Sequence, residues 1–401
     1  MIRRTSALIF ATVAVAEAAI AQPQPAPPPG SVGSSAGLIT VERLASLEFP
    51  WGIELLPDGR VLVTEKPGRL RLWANGQLSA PLQGVPSVVH RNDADQGGLM
   101  DVVADPGFAR NGIIYLSYTE AANPQPANAA ETGDPRFGQY LDMSDNIVRG
   151  GVVARARLDG SAVRDVQVIW RQEPRTVGRG HFGNRLLFGP DGKLYITSGD
   201  RMRFDPAMSL RSNLGKVLRI NADGTLPADN PFANTDTARG DIWSYGHRNV
   251  LAAAFDSTGR LFAFEMGPLG GDEMNLIQRG RNYGWPAVSN GDNYFASSIP
   301  DHPREPGMQA PMRSWTPVIS PSGATFYRGS LFPWWRGSVL VGGLSSQSLV
   351  RLQLDGQRIS MEERIFLGRR IRDVIEMPDG SLLAIVDAKA GELIRLRPTQ
   401  R

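Results

Sequence analysis

The sequence predicts an all-β protein built as a six-bladed β-propeller. Short β-rich runs recur from about residue 38 onward with almost no helical periodicity, and many contain a Pro-Asp-Gly or similar turn. Six copies of the same strand–turn–strand plan favour six blades of four strands around a central channel. Gly (44) and Pro (30) are abundant enough to supply many turns. A seven-bladed propeller or a pair of β-sandwiches is the alternative.

Residues 49–73 show this plan most clearly. An apolar run leads into a Pro57-Asp58-Gly59 turn, a second strand and a Pro-Gly turn, which predicts a three-strand meander. Further copies lie at residues 99–118, 185–200, 251–265 and 371–397, and a looser one lies at 332–354. The polar stretches 121–147 and 286–320 are predicted to be long loops, the second one near the channel mouth.

The chain is predicted to divide into a signal peptide (1–21), a disordered Pro/Gly/Ser linker (22–37) and a catalytic propeller (38–401). Two arginines precede an apolar stretch that is too short to span a bilayer, and Ala19-Ile20-Ala21 has the small-x-small pattern of a cleavage site. An uncleaved membrane anchor is the alternative. Cleavage implies a periplasmic or secreted protein.

Composition excludes several function classes. Lys and Arg (43) nearly balance Asp and Glu (40) without a basic block, so no nucleic-acid partner is expected. The absence of cysteine excludes disulfides, thiolate catalysis and Cys-ligated metals. No later stretch is apolar and long enough for a transmembrane helix, so no membrane span is expected after signal removal.

Among the four histidines, His181 is the candidate catalytic base. It lies between glycines in GRGHFGNR (178–185), just before a predicted blade, where the junction opens onto the channel. An imidazole with a pKa near neutral can remove a hydroxyl proton. A hydrogen-bonded structural histidine is the alternative. His90 and His302 lie in unpatterned loops and receive no role.

Two other segments carry polar groups suited to an anion. His247, Arg248 and Asn249 follow one another, and the guanidinium can grip an anion while the amide both donates and accepts. Strand alternation places Arg370 and Arg372 on one face, where an anion between them would offset their repulsion. A loop joined by side-chain hydrogen bonds and a pair of solvated arginines are the respective alternatives.

Residues 265–276 (EMGPLGGDEMNL) combine a glycine-rich turn with carboxylates. Backbone carbonyls and carboxylates are hard oxygen ligands that suit Ca²⁺ better than zinc, although a solvated acidic turn would have the same composition. A propeller would bring this turn, the histidine and the cationic groups to one channel mouth. Such a set suits a polyanionic ligand held partly through a metal.

Over residues 45–398 the chain resembles the soluble PQQ-dependent aldose sugar dehydrogenases of the glucose/sorbosone dehydrogenase family. Eight landmarks in order carry the resemblance: FPWGIELLPDG (49–59), DQGGLMDVVADPGF (95–108), GHFGNRLLFGPDGKLYITSGDR (180–201), LGKVLRINADGTLPADNPF (214–232), IWSYGHRN (242–249), EMGPLGGDEMNLI (265–277), NYGWP (282–286) and RIRDV (370–374).

The resemblance implies a role for each matching residue. His181 would take the proton of the anomeric hydroxyl while hydride passes from the same carbon to the quinone. The aldose would thereby become a lactone, and an external acceptor would then take the electrons from the reduced quinone. The cofactor-binding positions are Gln96, Arg248, Asn249, Thr325, Arg370 and Arg372. Gly267 and Pro268 match carbonyls that bind the calcium of the cofactor, and Glu273, Tyr283 and Asp292 match a second calcium site.

Two positions depart from the family pattern. Ser345 stands where the family often has a lysine that contacts PQQ, and Gly180 stands where some members have an acid before the catalytic histidine. Both departures bear on cofactor affinity. A calcium-dependent propeller lactonase and a non-catalytic binding propeller are the competing functions. The lactonase does not account for Arg370 and Arg372 facing the same way beside Arg248, and the binding propeller predicts no quinone binding.

Overall fold

Six antiparallel β-sheets surround a central channel in the described part of the chain. The structure is a computed structural model that describes residues 30–127, 129, 146–294, 297–302 and 307–399. The innermost strand of each sheet contacts the innermost strands of both neighbouring sheets, so the ring is closed. This arrangement confirms the predicted all-β, six-bladed propeller.

The strands are numbered along the chain, and the first two in its described part are β1 (Ser31–Ser34) and β2 (Gly37–Leu47). The first blade contains β3 (Pro50–Leu55), β4 (Val61–Glu65), β5 (Arg69–Ala74) and β6 (Gln77–Leu78). The second contains β7 (Leu99–Ala104), β8 (Ile113–Ala121), β9 (Arg149–Asp159) and β10 (Ala162–Arg171). The third contains β11 (Gly183–Phe188), β12 (Leu194–Ser198), β13 (Lys216–Ile220) and β14 (Ile242–Tyr245).

The fourth blade contains β15 (Val250–Phe255), β16 (Leu261–Glu265), β18 (Asp272–Ile277) and β20 (Arg313–Trp315), and β17 (Leu269–Gly270) pairs with β19 (Gly291–Asp292) as a separate ribbon. The fifth contains β21 (Pro321–Phe326), β22 (Val339–Gly343), β23 (Ser348–Asp355) and β24 (Arg358–Phe366). The sixth contains β25 (Ile371–Glu376), β26 (Leu382–Val386) and β27 (Gly391–Pro398), followed by β2 and β1. The described helices are short, namely α1 (Phe108–Asn111) and the 3₁₀ turns Asp205–Ala207 and Pro333–Trp335, and none could cross a bilayer.

The sixth blade is completed by the N-terminal part of the propeller. Strand β2 pairs antiparallel with β27, from Ile39 opposite Pro398 to Leu47 opposite Gly391. Ile39 is fully buried in a hydrophobic core that also contains Ile394. The first and last parts of the propeller, β2 and β27, therefore lie in one sheet, which closes the ring and pairs an edge that would otherwise be open.

Part of the predicted linker is ordered. Strands β1 and β2 form a hairpin in which Ser34 lies opposite Gly37. The amide and hydroxyl of Ser35 donate hydrogen bonds of 2.5 and 2.6 Å to the carboxylate of Glu363. Predicted disorder over residues 22–37 therefore does not hold for residues 31–37, because their backbone groups are paired. The predicted signal peptide (1–21) lies outside the described residues.

The fifth blade begins before the predicted copy at 332–354. Its first strand is β21, and the aromatic run that starts at Phe332 lies in a 3₁₀ turn between β21 and β22. The buried rings of Phe332 and Trp335 stack with centroids 4.3 Å apart, so this run fills a core rather than building a strand. The predicted loop 286–320 contains β19 and β20, and most of 121–147 lies outside the described residues.

Every innermost strand of the described blades has a register shift near its start. The shifts fall in β3, β7, β11, β15, β21 and β25, where each pairs with the next strand of its blade. A bulge bends the strand and re-aims the side chains that follow it. The loops that lead into these strands therefore approach the channel at a bend, and they carry the site residues described below.

A buried ion cluster divides the channel. Nη1 of Arg185 (β11) lies 3.0 Å from Asp101 (β7) and 2.6 Å from Asp373 (β25). The guanidinium carbon lies 4.3 Å from the ring centroid of Trp51. Trp51 lines a cavity at one mouth, here called the upper cavity, and the ion cluster lines a second one, here called the lower cavity.

Candidate active site

The upper cavity has a volume of about 290 Å³. Its walls combine charged and amide groups with apolar side chains: Lys66, Asp93, Asp95, Gln96, Ser320, Arg370, Arg372 and Asp387 with Trp51, Ala94, Met100, Phe182, Leu251, Met266 and Leu344. The structure therefore brings three of the predicted cofactor-binding residues (Gln96, Arg370 and Arg372) into one cavity. A concave site with a few converging polar groups suits a small ligand.

His181 lies at the edge of this cavity, two residues before β11. The next residue, Phe182, lines the cavity, and the His181 amide donates a 2.9 Å hydrogen bond to Oε1 of Gln96. Its φ is +52°, a region that residues with a β-carbon seldom adopt. Gly199 leaves room for this conformation, since a β-carbon there would lie 2.1 Å from the His181 carbonyl oxygen.

The imidazole of His181 is oriented by Asp200, which follows β12. Nδ1 lies 2.7 Å from Oδ1 of Asp200, and Oδ2 of the same carboxylate accepts a 2.8 Å hydrogen bond from the indole of Trp285. The Met202 amide also donates to Oδ1 (2.9 Å). An ionised carboxylate only accepts, so the proton belongs on Nδ1 and the lone pair on Nε2. No described residue forms a hydrogen bond with Nε2.

Burial keeps this imidazole neutral. Removal from water lowers the pKa of His181 below its usual 6.5, and the charge of Arg248 lowers it further, while Asp200 opposes both effects. Burial by itself would raise the pKa of the Asp200 carboxyl, but His181, Arg248 and the Met202 amide hold it below its ordinary value of 3.8. Near neutral pH the pair is therefore a carboxylate and a neutral imidazole, which is the form a general base requires.

Asp200 is a candidate functional residue to which the sequence motifs gave no role. It lies two residues beyond β12 and ends the predicted copy at 185–200, so a carboxylate at the end of a predicted strand was a usable signal. The sequence could not show that this carboxylate would meet His181, because the two residues lie on different segments of one blade.

Arg248 links the site to the glycine-rich turn after β16. Its Nη1 donates to the carbonyls of Met266 (3.0 Å) and Gly267 (2.7 Å), and its Nη2 donates to the Tyr294 hydroxyl (3.0 Å). The neighbouring Asn249 accepts a 3.2 Å hydrogen bond from the amide of Gly183 and so braces the loop after His181.

His247 is a structural residue. It is fully buried, with Nε2 2.9 Å from the Ser244 hydroxyl and Nδ1 2.9 Å from Glu265, and its ring stacks on Tyr283. These contacts match the alternative in which side-chain hydrogen bonds join this loop.

Arg370 and Arg372 share a carboxylate of the chain itself. Oδ2 of Asp387 lies 3.0 Å from Nη2 of Arg370 and 2.8 Å from Nη2 of Arg372. The sequence analysis expected an anion between the two arginines, and Asp387 takes that place. Because one carboxylate faces two guanidinium groups, a surplus of positive charge remains at this wall.

The glycine-rich turn offers oxygen ligands. The Gly267 amide donates a 2.9 Å hydrogen bond to Asp272. Burial raises the pKa of the Asp272 carboxyl to about 6. The carbonyls of Met266 and Gly267 both accept hydrogen bonds from Nη1 of Arg248. Carbonyl oxygens are ligands that Ca²⁺ prefers, and of the two carbonyls predicted to bind it the Gly267 carbonyl accepts a hydrogen bond from Arg248. No cluster of three or more carboxylate or imidazole side chains suited to a metal occurs among the described residues.

The three residues predicted for a second calcium site have different surroundings. Glu273 is buried, accepts a 3.0 Å hydrogen bond from Asn275 and lies 3.6 Å from Nε2 of His302. Tyr283 donates its hydroxyl hydrogen to the carbonyl of Leu276. Asp292 is exposed on β19.

The surroundings of Glu273 favour a cation. Its pKa is well above the ordinary value because of burial and the nearby Glu265 carboxylate. Oδ1 of Asn275 and both ring nitrogens of His302 are buried and form no hydrogen bond with any described residue. A cation beside Glu273 would satisfy such groups, so His302, which the sequence analysis left without a role, belongs to this cluster.

Thr325 is not part of the upper cavity. It lies on β21 and lines the lower cavity together with Asp373. The register shift between Ser322 and Ala324 precedes it, and the residue of this segment that reaches the upper cavity is Ser320. Thr325 therefore lies apart from Gln96, Arg370 and Arg372, and its contact with a cofactor stays a prediction.

The two departures from the family pattern have local explanations. A β-carbon on Gly180 would lie 2.5 Å from the terminal carbon of Met202, so a larger residue there would require Met202 to move. Ser345 is exposed, and its hydroxyl bonds to Ser320 (2.8 Å) and to the carbonyl of Val318 (3.2 Å). It contributes no charge to the site.

The chain is similar to known sugar dehydrogenases over most of its length. It is 36% identical to aldose sugar dehydrogenase YliI of Escherichia coli (90% of this chain and 93% of that protein) and 28% identical to quinoprotein glucose dehydrogenase B of Acinetobacter calcoaceticus (87% and 85%). The fold matches the soluble aldose sugar dehydrogenase of Escherichia coli in its apo form, with a TM-score of 0.80, 36% identity and coverage of 90% and 100%.

A PQQ-bound aldose sugar dehydrogenase from Streptomyces coelicolor has a similar structure, with a TM-score of 0.70, 25% identity and coverage of 90% and 98%. The sequence profile described as glucose/sorbosone dehydrogenase matches residues 47–395, which is most of the propeller. The chain therefore belongs to the glucose/sorbosone dehydrogenase family.

Proposed function

We propose that this protein oxidises aldose sugars at the anomeric carbon to lactones, with PQQ as the hydride acceptor and Ca²⁺ as an activating ion. The observation that carries the proposal is the Asp200–His181 pair beside the upper cavity, whose wall holds Arg370 and Arg372, with Nε2 of His181 unbonded by any described residue. Two relatives, the aldose sugar dehydrogenase of Escherichia coli and the quinoprotein glucose dehydrogenase of Acinetobacter calcoaceticus, support the substrate class.

In this proposal His181 is the general base. Nε2 accepts the proton of the anomeric hydroxyl, which allows hydride to leave the same carbon. Asp200 holds the Nδ1 proton in place and stabilises the imidazolium that forms, while Trp285 and the Met202 amide fix the carboxylate. Bound PQQ and Ca²⁺ supply the two-electron acceptor and the Lewis acid, respectively.

The cofactor would be held by residues on several blades. PQQ is a tricarboxylate, so Arg370 and Arg372 would bind its carboxylates while sharing Asp387. Gln96, which already fixes the His181 amide through its oxygen, retains its amide hydrogens for a ligand. Arg248 and Asn249 would bind from the side of the glycine-rich turn.

Calcium would bind at the carbonyls of Gly267 and Pro268, and a second ion would bind beside Glu273. Asp292 and Tyr283 remain proposed ligands of that second ion on the family pattern alone. The substrate partner would be a small aldose, and electrons would pass to an external acceptor. We place the protein in the periplasm or outside the cell, in keeping with the predicted signal peptide.

The test is a titration of purified apo-protein with PQQ in the presence of Ca²⁺, followed by dye reduction with a panel of aldoses. Saturable, calcium-dependent activation with dye reduction is the expected result. Failure to bind PQQ with calcium present would refute the dehydrogenase proposal, and lactone hydrolysis or sugar binding without turnover would then identify a lactonase or a binding propeller.

A further inference from the structure

Lys66 is a buried lysine in the wall of the upper cavity. It directly follows β4, only 6% of its surface is exposed, and it lines the cavity with Arg370 and Arg372. Neither composition nor the family landmarks assigned it a role. Lysine is almost never this buried without a partner, so its surroundings require an explanation.

The ammonium group of Lys66 has fewer partners than donors. In the described part of the chain its one hydrogen bond goes to the carbonyl of Asp95, at 3.1 Å, and its nitrogen lies 4.9 Å from the ring centroid of Phe49. An ammonium carries three donors. Asp387, the charge that most supports the protonated form, is already shared by two arginines.

Other carboxylates at the cavity are also committed. Asp95 pairs with buried Arg149 at 2.9 Å, and Asp93 lies 3.8 Å from Lys389. Burial consequently lowers the pKa of Lys66 from 10.5. A ligand carboxylate would supply both the missing acceptors and the missing charge.

We propose that Lys66 is a cofactor-binding residue whose ammonium pairs with a carboxylate of the quinone in the upper cavity. The proposal rests on the proposed function, and it adds a cation at a site where Ser345 supplies none. Lys66 extends from the first blade, whereas Arg370 and Arg372 extend from the sixth, so the ligand would be held by cations from two adjacent walls.

The test compares the affinity of apo-protein for PQQ in Lys66→Met, Lys66→Arg and the wild type. Binding is followed by quenching of tryptophan fluorescence at a fixed Ca²⁺ concentration, and thermal melting of each apo-protein checks folding. Lys193→Met is the matched control, because that lysine bonds to Asn221 and does not line the upper cavity.

We expect Lys66→Met to weaken PQQ binding about 10- to 100-fold with an unchanged melting temperature, since a charge-assisted hydrogen bond is lost. Lys66→Arg should bind within a few-fold of the wild type, and Lys193→Met should match it. The proposal would be overturned if Lys66→Met bound PQQ with the affinity of the wild type. It would also be overturned if Lys66→Met and Lys66→Arg lost PQQ affinity to the same extent. A wild-type protein that does not bind PQQ would instead refute the proposed function.

Discussion

At the residue scale, the chemistry depends on which nitrogen of His181 carries a proton. Asp200 accepts from Nδ1, and Trp285 and the Met202 amide keep the carboxylate in place. Gln96 fixes the backbone of the same histidine. The imidazole is thus held through both its ring and its main chain, and no described residue forms a hydrogen bond with its Nε2.

Replacing Asp200 by Asn should disable the base without emptying the cavity. The Asn amide can donate to Nδ1, which moves the imidazole proton to Nε2 and removes the lone pair, so kcat should fall by about 10³–10⁴. PQQ affinity should stay within a few-fold of the wild type. Steady-state kinetics measures the fall in kcat, and a titration with PQQ measures the cofactor affinity. Asp191→Asn, which changes a carboxylate in a turn of the same blade, is the control. A loss of kcat below tenfold for Asp200→Asn would show that Asp200 does not orient the imidazole for catalysis.

The pH dependence follows from the lowered pKa of His181. The neutral imidazole is the active form, so kcat/KM falls as pH decreases through that pKa. Because burial lowers the pKa below 6.5, the acid limb of the profile should lie below pH 6.5. A pH profile of kcat/KM measures it directly. An acid limb above 6.5 would show that the imidazole is not held neutral by burial.

At the element scale, the bulges near the starts of the innermost strands determine which side chains share a wall of the channel. Arg370 and Arg372 precede or occupy such a bend, and both reach Asp387 as simple alternation predicted. Thr325 lies beyond the bend of β21 and lines the lower cavity, which the family pattern alone does not show.

The partners that sequence reasoning missed lie at the ends of other strands. Asp387 follows β26, Asp200 follows β12, and Lys66 follows β4. Repeats and turns predict that such strands exist, but the partners of their terminal side chains depend on the closed ring. The positions carried by motifs were therefore predictable, and the charges that complete them were not.

Closure of the ring by β2 gives a prediction for stability. Ile39 is fully buried in the core of the sixth blade, whereas Thr40 on the same strand is exposed. Ile39→Ala should lower the free energy of unfolding by about 2–5 kcal/mol, because it leaves a cavity in the core. Thr40→Ala should change it by less than about 1 kcal/mol. Denaturant unfolding measures the free energy of unfolding of both variants. Equal losses in the two variants would show that the burial of β2 does not stabilise the closed propeller.

At the scale of the whole molecule, the channel is a packed interior with an ion cluster across its axis. Arg185 connects the third blade to the second and the sixth through Asp101 and Asp373. Its contact with Trp51 places it directly beneath the upper cavity. The floor of the site is therefore part of what holds the blades together.

Removing this cation should destabilise the entire propeller. Arg185→Met leaves two buried carboxylates without their partner, so the free energy of unfolding should fall by about 3–5 kcal/mol. Adding Asp101→Asn and Asp373→Asn should restore part of the loss. Arg397→Met removes an exposed ion pair and should cost less than about 1 kcal/mol. Denaturant unfolding distinguishes these cases, and a small loss for Arg185→Met would contradict the proposed bracing role.

We propose that His181 is the base of a PQQ-dependent sugar oxidation, and the His181→Ala variant tests this role. PQQ affinity and aldose-dependent dye reduction would be measured on the same preparation with Ca²⁺ present. We expect turnover to be abolished while PQQ still binds with an affinity close to that of the wild type. Turnover at the wild-type rate would contradict this proposal and would remove His181 from the reaction.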